Sequence, residues 1–528
     1  MDFKAKIKDE GPATVILLVA ALARLTLLSM KPPHFDEGVN GWFVDQMTHS
    51  GFYHYDPTNY HGPLHFYVLF LAQTLLGRHI WALRFPLAFV SLAMVWLTMR
   101  FDRFVGRGAA LWAAAAMAVS PGCVFYGRYA IHEYWLVLAL MLCAWGLAGL
   151  WRFGEKQYFW AVWAGVTIAV LTKETYFIHF GCVALALPCA WLVGRLSPAA
   201  DMEKAAPQQW SARDMALGVA LFVACVVFFY SGTFMDMPGL KGLYQTYGAW
   251  FQTGQTGNGH EKSWFYWLKL FGIYEWPSCV GLLVALLTVL PRSPRFLRVL
   301  AIYGCGTLTA YSIIHYKTPW CIVSLTWPFL LLFGYGVEFV FRKWPLPTSV
   351  VAGVLLAANL GDTIALNFFH FTDPTEPYVY VQTFQDVNKL MNPLGALVAR
   401  NPANHQLKGN IIMESYHPLP WLLGDFSNVG YYDDDTTPTT MDADFLLVED
   451  SRIDDIENGL RDEYFTESLR LRDAQDPSKL YLSVKKFRAL FPGRKPEFVP
   501  PKEVPQVPAE NKAGLPVTTP TPAGQPSQ

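Results

Sequence analysis

Residues 133–175 read EYWLVLALMLCAWGLAGLWRFGEKQYFWAVWAGVTIAVLTKET, and this stretch decides the fold class. Two apolar runs, 133–151 and 158–172, are separated by a short charged turn. Their lengths approach the roughly 17 to 20 apolar residues that a helix needs to cross a bilayer. The pattern predicts two membrane spans with ionisable residues at their ends.

The same kind of run recurs along the first 366 residues. We identify eleven, near 12–30, 80–99, 108–121, 133–151, 158–172, 176–194, 213–231, 271–291, 296–314, 319–341 and 346–366. The sequence therefore predicts an α-helical polytopic membrane domain of about eleven spans over residues 1–366.

Composition supports this fold class. Of 528 residues, 52% are hydrophobic and only 16% are charged, whereas soluble domains carry about 25% charged residues. The net charge of −1 without a strongly basic domain excludes nucleic-acid binding as the main function. All eight cysteines fall in or beside apolar runs, so we expect neither a disulfide framework nor a cysteine zinc site.

Charge divides the chain into a membrane part and a soluble part. Residues 367–490 contain 20 acidic and 11 basic side chains, while the first 366 residues carry a net charge of +7. Short apolar runs at 409–414, 444–448 and 480–485 predict strands, and helical stretches lie at 382–400 and 418–424. We therefore expect a small α/β domain over 367–490. Ten prolines after residue 491 predict a disordered tail over 491–528.

Positively charged loops predict the orientation. With the N-terminus in the cytoplasm, the basic clusters near 100–107, 152–156, 195–213, 292–298 and 342–343 are all cytoplasmic. This requires Pro63–Gly77 to be an interfacial helix within a long outer loop, residues 31–79. A second outer loop covers 232–264. We thus expect a multi-pass inner (plasma) membrane protein whose C-terminal domain is extracytoplasmic.

Five polar clusters then fall on the outer side. They are His34–Glu37, Arg128–Glu133, Lys173-Glu174, the glycine-rich part of loop 232–264 with His260, and His315–Lys317. Ionisable residues at span ends are costly and mark function by default. The sequence predicts that these clusters gather in one outward-facing cavity. His61, in the first outer loop, is a further candidate contact.

Each cluster also has a structural interpretation. Asp36 fits the N-cap of a helix that begins at Glu37. Tyr126 and Tyr129 beside Arg128 fit an aromatic belt at the membrane interface. Lys173-Glu174 fits a neutral turn, and Lys317 fits a lysine that snorkels to the headgroups.

In this order, the clusters resemble the GT-C superfamily of membrane glycosyltransferases, which includes protein O-mannosyltransferases and aminoarabinose transferases. The resemblance rests on Asp36-Glu37, on the spacing of Arg128 and Glu133, and on these short motifs: Gly62-Pro63-Leu64, Leu83-Arg84-Phe85-Pro86, Leu171-Thr172-Lys173, and Lys317-Thr318-Pro319-Trp320 followed by Trp327-Pro328. It covers about residues 10–366. Tyr60–Leu64, His260-Glu261-Lys262 and Tyr416–Trp421 look most like the bacterial and archaeal group labelled flippase-activity-associated.

The resemblance implies sugar transfer from a polyprenyl-phosphate-linked donor to a glycan, lipid or protein acceptor, with inversion. Asp36 would be the general base, Glu37 the second member of the carboxylate pair, and Glu133 would orient acceptor or base. The expected phosphate-binding cations are Arg128, Lys173 and Lys317. The expected substrate contacts are His61, His132, His260 and His315.

Two alternatives stay open at this point. The chain could bind a lipid-linked saccharide without cleaving it, as a non-catalytic partner of a flippase or glycosylation pathway. A divalent metal, Mg²⁺ or Mn²⁺, is also undecided: Asp36, Glu37, His34 and His61 offer suitable donor atoms, but their spacing does not demand a metal.

Overall fold

The computed structural model describes residues 3–197, 205–256, 259–288, 293–433, 435–473 and 475–500. Up to residue 368 the described chain is largely helical. The helices are α1 (Phe3–Leu25), α2 (Phe35–Ser50), α3 (Leu64–Leu76), α4 (Ile80–Met99), α5 (Asp102–Val105), α6 (Arg107–Val119), α7 (Pro121–Phe125), α8 (Glu133–Arg152), α9 (Lys156–Thr172), α10 (Tyr176–Leu196), α11 (Ala212–Tyr230), α12 (Gly239–Thr256), α13 (Tyr266–Tyr274), α14 (Trp276–Thr288), α15 (Arg295–Ile313), α16 (Ile322–Phe341) and α17 (Pro345–Phe368).

Each of the eleven predicted runs lies largely in helix, which confirms a helical polytopic membrane domain. Among the described residues, seven helices are long and apolar enough to span a membrane, and two bent pairs raise this number to nine. One pair bends by 61° after α6, and the other bends by 120° between α13 and α14. The count of eleven stays a prediction. The interfacial segment forms α3, an apolar helix of 13 residues.

Helix α16 lies at the centre of the membrane domain. In its span, 78% of the most apolar window is buried inside the protein, against 11% for α10 and for α11. Its neighbours include α6, α14, α15 and α17. The exposed apolar faces of α10 and α11 are suited to lipid contact, because a membrane helix has no need to hide apolar side chains from hydrocarbon.

The C-terminal part forms the expected small α/β domain. Its helices are α18 (Asn388–Arg400), α19 (Leu419–Leu422), α20 (Ile453–Gly459) and α21 (Val484–Phe487), and its strands are β1 (Lys408–Ile412), β2 (Asn428–Tyr432), β3 (Phe445–Val448), β4 (Tyr464–Leu469) and β5 (Ser478–Ser483). The sheet order is β2-β1-β3-β5-β4. β1 pairs in parallel with β2 and β3, whereas β5 pairs antiparallel with β3 and β4.

Sequence patterns found the three central strands and missed the two edge strands. β1, β3 and β5 are almost fully buried, so they read as short apolar runs. The edge strands β2 and β4 each carry an exposed polar residue, Asn428 and Ser468, and are otherwise less completely buried. An edge strand has a weaker apolar signature because it is covered less completely.

The prediction of a disordered tail from residue 491 is wrong for its first ten residues. Phe498 is buried, and its backbone forms an isolated bridge with Tyr464. An aromatic side chain among prolines was enough to anchor this segment on the sheet. Residues 501–528, the rest of the predicted tail, lie outside the described residues.

The α/β domain docks directly on α2 of the membrane domain. Two glycines on α2 allow the approach: a Cβ atom on Gly38 would lie 2.3 Å from the Cβ of Pro418, and one on Gly41 would lie 2.5 Å from the ring of Trp421. Arg78 joins the two parts as well, since it bonds Asp45 on α2 at 2.7 Å and Asp425 at 3.1 Å.

This close contact predicts that Gly38→Ala separates the domain from α2. Overpacking of this kind costs about 1–3 kcal/mol, so we expect a lower melting temperature in detergent and faster proteolysis near residue 418. Gly181→Ala on α10 is the matched control, because a Cβ there meets nothing within 4 Å. Equal melting temperatures for the two variants would contradict this account of the docking.

Candidate functional site

A cavity of about 650 Å³ lies where the membrane domain meets the α/β domain. It is lined by residues from all five predicted clusters and from the first outer loop. Among them are Asp36, His61, His132, Glu133, Lys173, Glu174, His260, Tyr316 and Thr318. Segments that are far apart in sequence therefore converge, as the predicted cavity requires.

Asp36 lies in the first turn of α2 with its carboxylate at the cavity. The expected N-cap role for Asp36 is wrong: the helix begins two residues earlier, at Phe35, and His34 is the N-cap. The His34 ring accepts from the Asp36 backbone N–H at 3.1 Å, and Glu37 completes a capping box. The Asp36 side chain therefore does not cap the helix. It is 38% exposed, and among the described residues the one basic-residue nitrogen within 4 Å of it is His34 Nδ1, at 3.9 Å.

Glu37, expected as a second catalytic carboxylate, does not line the cavity and is fully buried. Arg84 on α4 holds it in a two-bond ion pair of 2.8 and 2.6 Å. Both oxygens also accept backbone N–H bonds, from Ala130 and His34, at 2.9 Å each. Because both oxygens are occupied, the structure corrects this expectation and gives Glu37 a positioning role.

Lys173 is the centre of an ionic group on the cavity wall. Its Nζ lies 3.0 Å from Glu133 Oε1 and 3.7 Å from Glu174 Oε1. Burial lowers the pKa of Lys173, but the two carboxylates outweigh burial and hold it well above its usual range. Glu174 Oε2 also accepts a hydrogen bond from the His61 ring Nδ1 at 3.0 Å. The group brings together three predicted site residues: Glu133, Lys173 and His61.

Three histidine rings stack beside this group. His132 lies 4.4 Å from His61 and 4.0 Å from His65, measured between ring centroids. His132 is almost fully buried, and its Nε2 has no hydrogen-bond partner among the described residues. Sequence reasoning singled out His61 and His132 but missed His65. His65 lies in the first turn of α3, four residues after His61 in the chain, and that short spacing was the available signal.

Two of the three predicted phosphate-binding cations point elsewhere. Arg128 is fully buried and donates to the carbonyls of Ala23, Arg24, Thr26 and Leu27 at the end of α1, at 2.7–3.3 Å. Lys317 is buried and donates to the carbonyls of Lys262 and Ile314. Neither lines the cavity. Both side chains are committed to main-chain carbonyls, and those at the end of α1 and after α15 are ones that a helix end leaves without partners, so the expected phosphate-binding role is corrected for both.

Of the two remaining predicted histidines, His260 and His315, only the first lines the cavity. His260 lines the cavity, and its Nδ1 lies 2.6 Å from the hydroxyl of Tyr380. Burial lowers the pKa of His260. His315 is exposed and absent from the lining, so the expectation of a substrate contact there is wrong.

The α/β domain contributes residues that sequence reasoning missed. Arg472 lines the cavity together with Ser415, Gln475 and a rim of carboxylates, which are Glu414, Glu449, Asp450 and Asp476. Arg472 follows β4, and its guanidinium lies 4.8 Å from the centre of the Phe35 ring. The neighbouring Tyr416–Trp421 motif was the signal available, since it belongs to the same docking surface.

Among the described residues, no group of three or more His, Cys, Asp or Glu side chains is arranged to hold a metal ion. Of the four donors considered, Glu37 is committed to Arg84 and His34 to the α2 cap. Asp36 and His61 remain at the cavity. A need for Mg²⁺ or Mn²⁺ stays an untested prediction.

Similar proteins agree with this architecture. Residues 60–196, which contain His61, His132, Glu133, Lys173 and Glu174, match the family model of dolichyl-phosphate-mannose-protein mannosyltransferases. Two matching solved structures are of ArnT from Cupriavidus metallidurans. The structure bound to undecaprenyl phosphate has 17% identity, a TM-score of 0.61, and coverage of 89% of this chain and 98% of ArnT. The apo structure has 15% identity, a TM-score of 0.59, and coverage of 90% and 98%.

No curated protein sequence matches the chain. At such low identity the likeness to ArnT shows the fold. The predicted resemblance is confirmed at the level of the fold: the described chain has a fold like that of ArnT.

The Glu37–Arg84 pair predicts that Glu37→Gln is strongly destabilising. It leaves a buried guanidinium without its counter-charge, and breaking a buried pair costs about 3–5 kcal/mol. We expect a large drop in melting temperature in detergent. Glu155→Gln is the control, because it breaks an ion pair with Arg103 at the protein surface. If both variants melt like the wild type, Glu37 is not the structural anchor described here.

Proposed function

We propose that the protein is an integral-membrane glycosyltransferase that transfers a sugar from a polyprenyl-phosphate-linked donor to an acceptor. The observation that carries the proposal is Asp36. Its carboxylate faces a polar cavity, while the neighbouring acid Glu37 and the cap residue His34 are fully engaged in holding its helix turn. The structural likeness to ArnT bound to undecaprenyl phosphate supports a lipid-phosphate donor.

In this mechanism Asp36 takes the proton from an acceptor hydroxyl. The hydroxyl oxygen bonds to the anomeric carbon as the bond from that carbon to the phosphate oxygen breaks. The electron pair leaves with the polyprenyl phosphate, and attack opposite the leaving group inverts the anomeric centre. Asp36 suits this role because, among the described residues, the one basic-residue nitrogen within 4 Å of it is His34 Nδ1, at 3.9 Å.

The Lys173 group would act on the other side of the reacting centre. Lys173 bears the charge that can face the leaving phosphate, and Glu133 fixes its position at 3.0 Å. Glu174 and His61 complete this wall. Because these charges are fixed before the donor binds, little reorganisation is needed as charge develops on the phosphate.

Asp36→Asn should therefore lower the rate of sugar transfer by about 10²–10⁴-fold, the range for loss of a positioned base. The assay supplies membranes with a panel of labelled polyprenyl-phosphate hexoses and pentoses, with membranes of a strain lacking the protein as acceptor source. Label in the acceptor and released polyprenyl phosphate are both measured.

Asp56→Asn is the matched control, because Asp56 caps Thr58 in the first outer loop and does not line the cavity. A stable Asp36→Asn protein that transfers at the wild-type rate would rule out Asp36 as the base. If the wild type binds every donor in the panel and turns over none with any acceptor, the protein is a binding partner rather than a transferase.

We also propose that the cavity and the α/β domain face the extracytoplasmic side of the inner (plasma) membrane, with the N-terminus in the cytoplasm. The distribution of basic loops supports this orientation.

This orientation predicts that a cysteine at Asp454, on α20, reacts with an impermeant maleimide in intact spheroplasts. A cysteine at exposed Arg100, after α4, should react only after the membrane is opened. Both are built in a chain whose eight native cysteines are replaced. The reverse labelling pattern would overturn the proposed topology.

A further inference from the structure

The cavity contains an imbalance of charge that the proposed mechanism leaves unexplained. Its lining includes seven carboxylates, which are Asp36, Glu133, Glu174, Glu414, Glu449, Asp450 and Asp476. Among the described lining residues, the lysines and arginines are Lys173 and Arg472 alone. A phosphate can occupy such an acidic cavity only beside a cation, since like charges repel strongly where water is scarce.

Lys173 alone is a poor candidate for the cation that must offset the negative charge of the phosphate. Two carboxylates lie within 4 Å of its ammonium group, so Lys173, Glu133 and Glu174 together carry a formal charge of −1. The other expected cations, Arg128 and Lys317, are bound to main-chain carbonyls outside the cavity. The phosphate needs a further positive charge at the wall.

Arg472 differs from Lys173 in its partners. It is only 5% exposed, and its hydrogen bonds go to neutral groups: the carbonyl of His417 and the carbonyl and hydroxyl of Ser415. No carboxylate lies within ion-pair distance of it among the described residues. Burial lowers the pKa of Arg472 to about 10, with Asp36 acting in the opposite direction, so it is charged at neutral pH.

The guanidinium is also fixed in place. Ser415 is held a second time by Gln475, which donates to its carbonyl at 2.9 Å. The Phe35 ring, next to Asp36, packs against the other side. Three of the five N–H donors of Arg472 have the partners named above, which leaves two that can donate to a ligand. A fixed fork of this kind matches phosphate oxygens.

We propose that Arg472, supplied by the α/β domain, binds the phosphate of the polyprenyl-phosphate donor. The α/β domain, which also contributes four of the seven carboxylates, therefore completes the site by supplying this cation. This inference rests on the proposed function for its ligand. It identifies a donor-binding residue outside the membrane domain, beyond the stretch that matches the family model.

The test measures the Kd of undecaprenyl phosphate for the purified full chain in nanodiscs. Arg472→Gln keeps a donor for the Ser415 and His417 oxygens but removes the charge. We expect its Kd to rise about 10- to 100-fold, the range for lost hydrogen bonds to a charged group. Arg472→Lys keeps the charge without the fork and should lie between wild type and Arg472→Gln.

Two controls test whether the change in Kd depends on the phosphate and on Arg472 in particular. Undecaprenol, which lacks the phosphate, should bind wild type and Arg472→Gln equally. Arg470→Gln removes an exposed arginine two residues away, paired with Asp473 at 3.6 Å, and should leave both affinities unchanged. Melting temperatures of the variants verify the fold. Should Arg472→Gln melt early, the salt dependence of the Arg472→Lys and wild-type affinities provides the comparison, because a phosphate–cation contact weakens as salt rises.

Equal Kd values for undecaprenyl phosphate in wild type and Arg472→Gln would overturn the proposal. So would an equal loss of undecaprenol binding, which would show a role in packing. The assay involves no turnover, so it gives its answer even if Asp36→Asn retains full transfer activity. Failure of the proposed chemistry and failure of the Arg472 assignment are therefore distinguishable.

Discussion

The buried ion pair between Arg84 and Glu37 is the contact on which the site depends. All five N–H groups of Arg84 are used: two bonds reach Glu37, and the others reach the carbonyls of Leu28, Lys31 and Pro32. Glu37 in turn accepts from His34 and Ala130. One guanidinium thus ties the exit of α1, the start of α2 and the approach to α8 to the core helix α4.

The consequence for Asp36 is geometric. His34 and Glu37 make the hydrogen bonds that hold the start of α2. The Asp36 carboxylate is therefore not needed for these bonds and faces the cavity. Fully buried charged pairs seldom add net stability compared with apolar packing, but they specify one arrangement. We infer that this pair serves the placement of the first turn of α2 more than the stability of the fold.

The site belongs to two domains at once. Gly38 and Gly41 let Pro418 and Trp421 come into contact with α2, and this docking brings Arg472 to Phe35. The cavity therefore has one wall of membrane-helix ends and one wall from the α/β domain. The interface residues Phe35 and Gly38 lie in the same helical turn as Asp36. A change at the domain interface therefore also acts on the turn that carries Asp36.

The sequence by itself determined the polytopic helical domain, the small α/β domain and the gathering of distant clusters, because apolar run length and charge placement report directly on a low-dielectric membrane. It also found Asp36, Glu133, Lys173, His61, His132 and His260, which line one cavity. The residue types at the span ends carried that information.

Only the tertiary structure decided what each charge does. Arg128 and Lys317 look like phosphate ligands in sequence, yet both side chains are bound to main-chain carbonyls and neither lines the cavity. Glu37 is adjacent to Asp36 in the chain, but a helical step of about 100° between neighbours sends it to the core instead. Arg472 lies 436 positions after Asp36, so its place at the same cavity exists only once the domains dock.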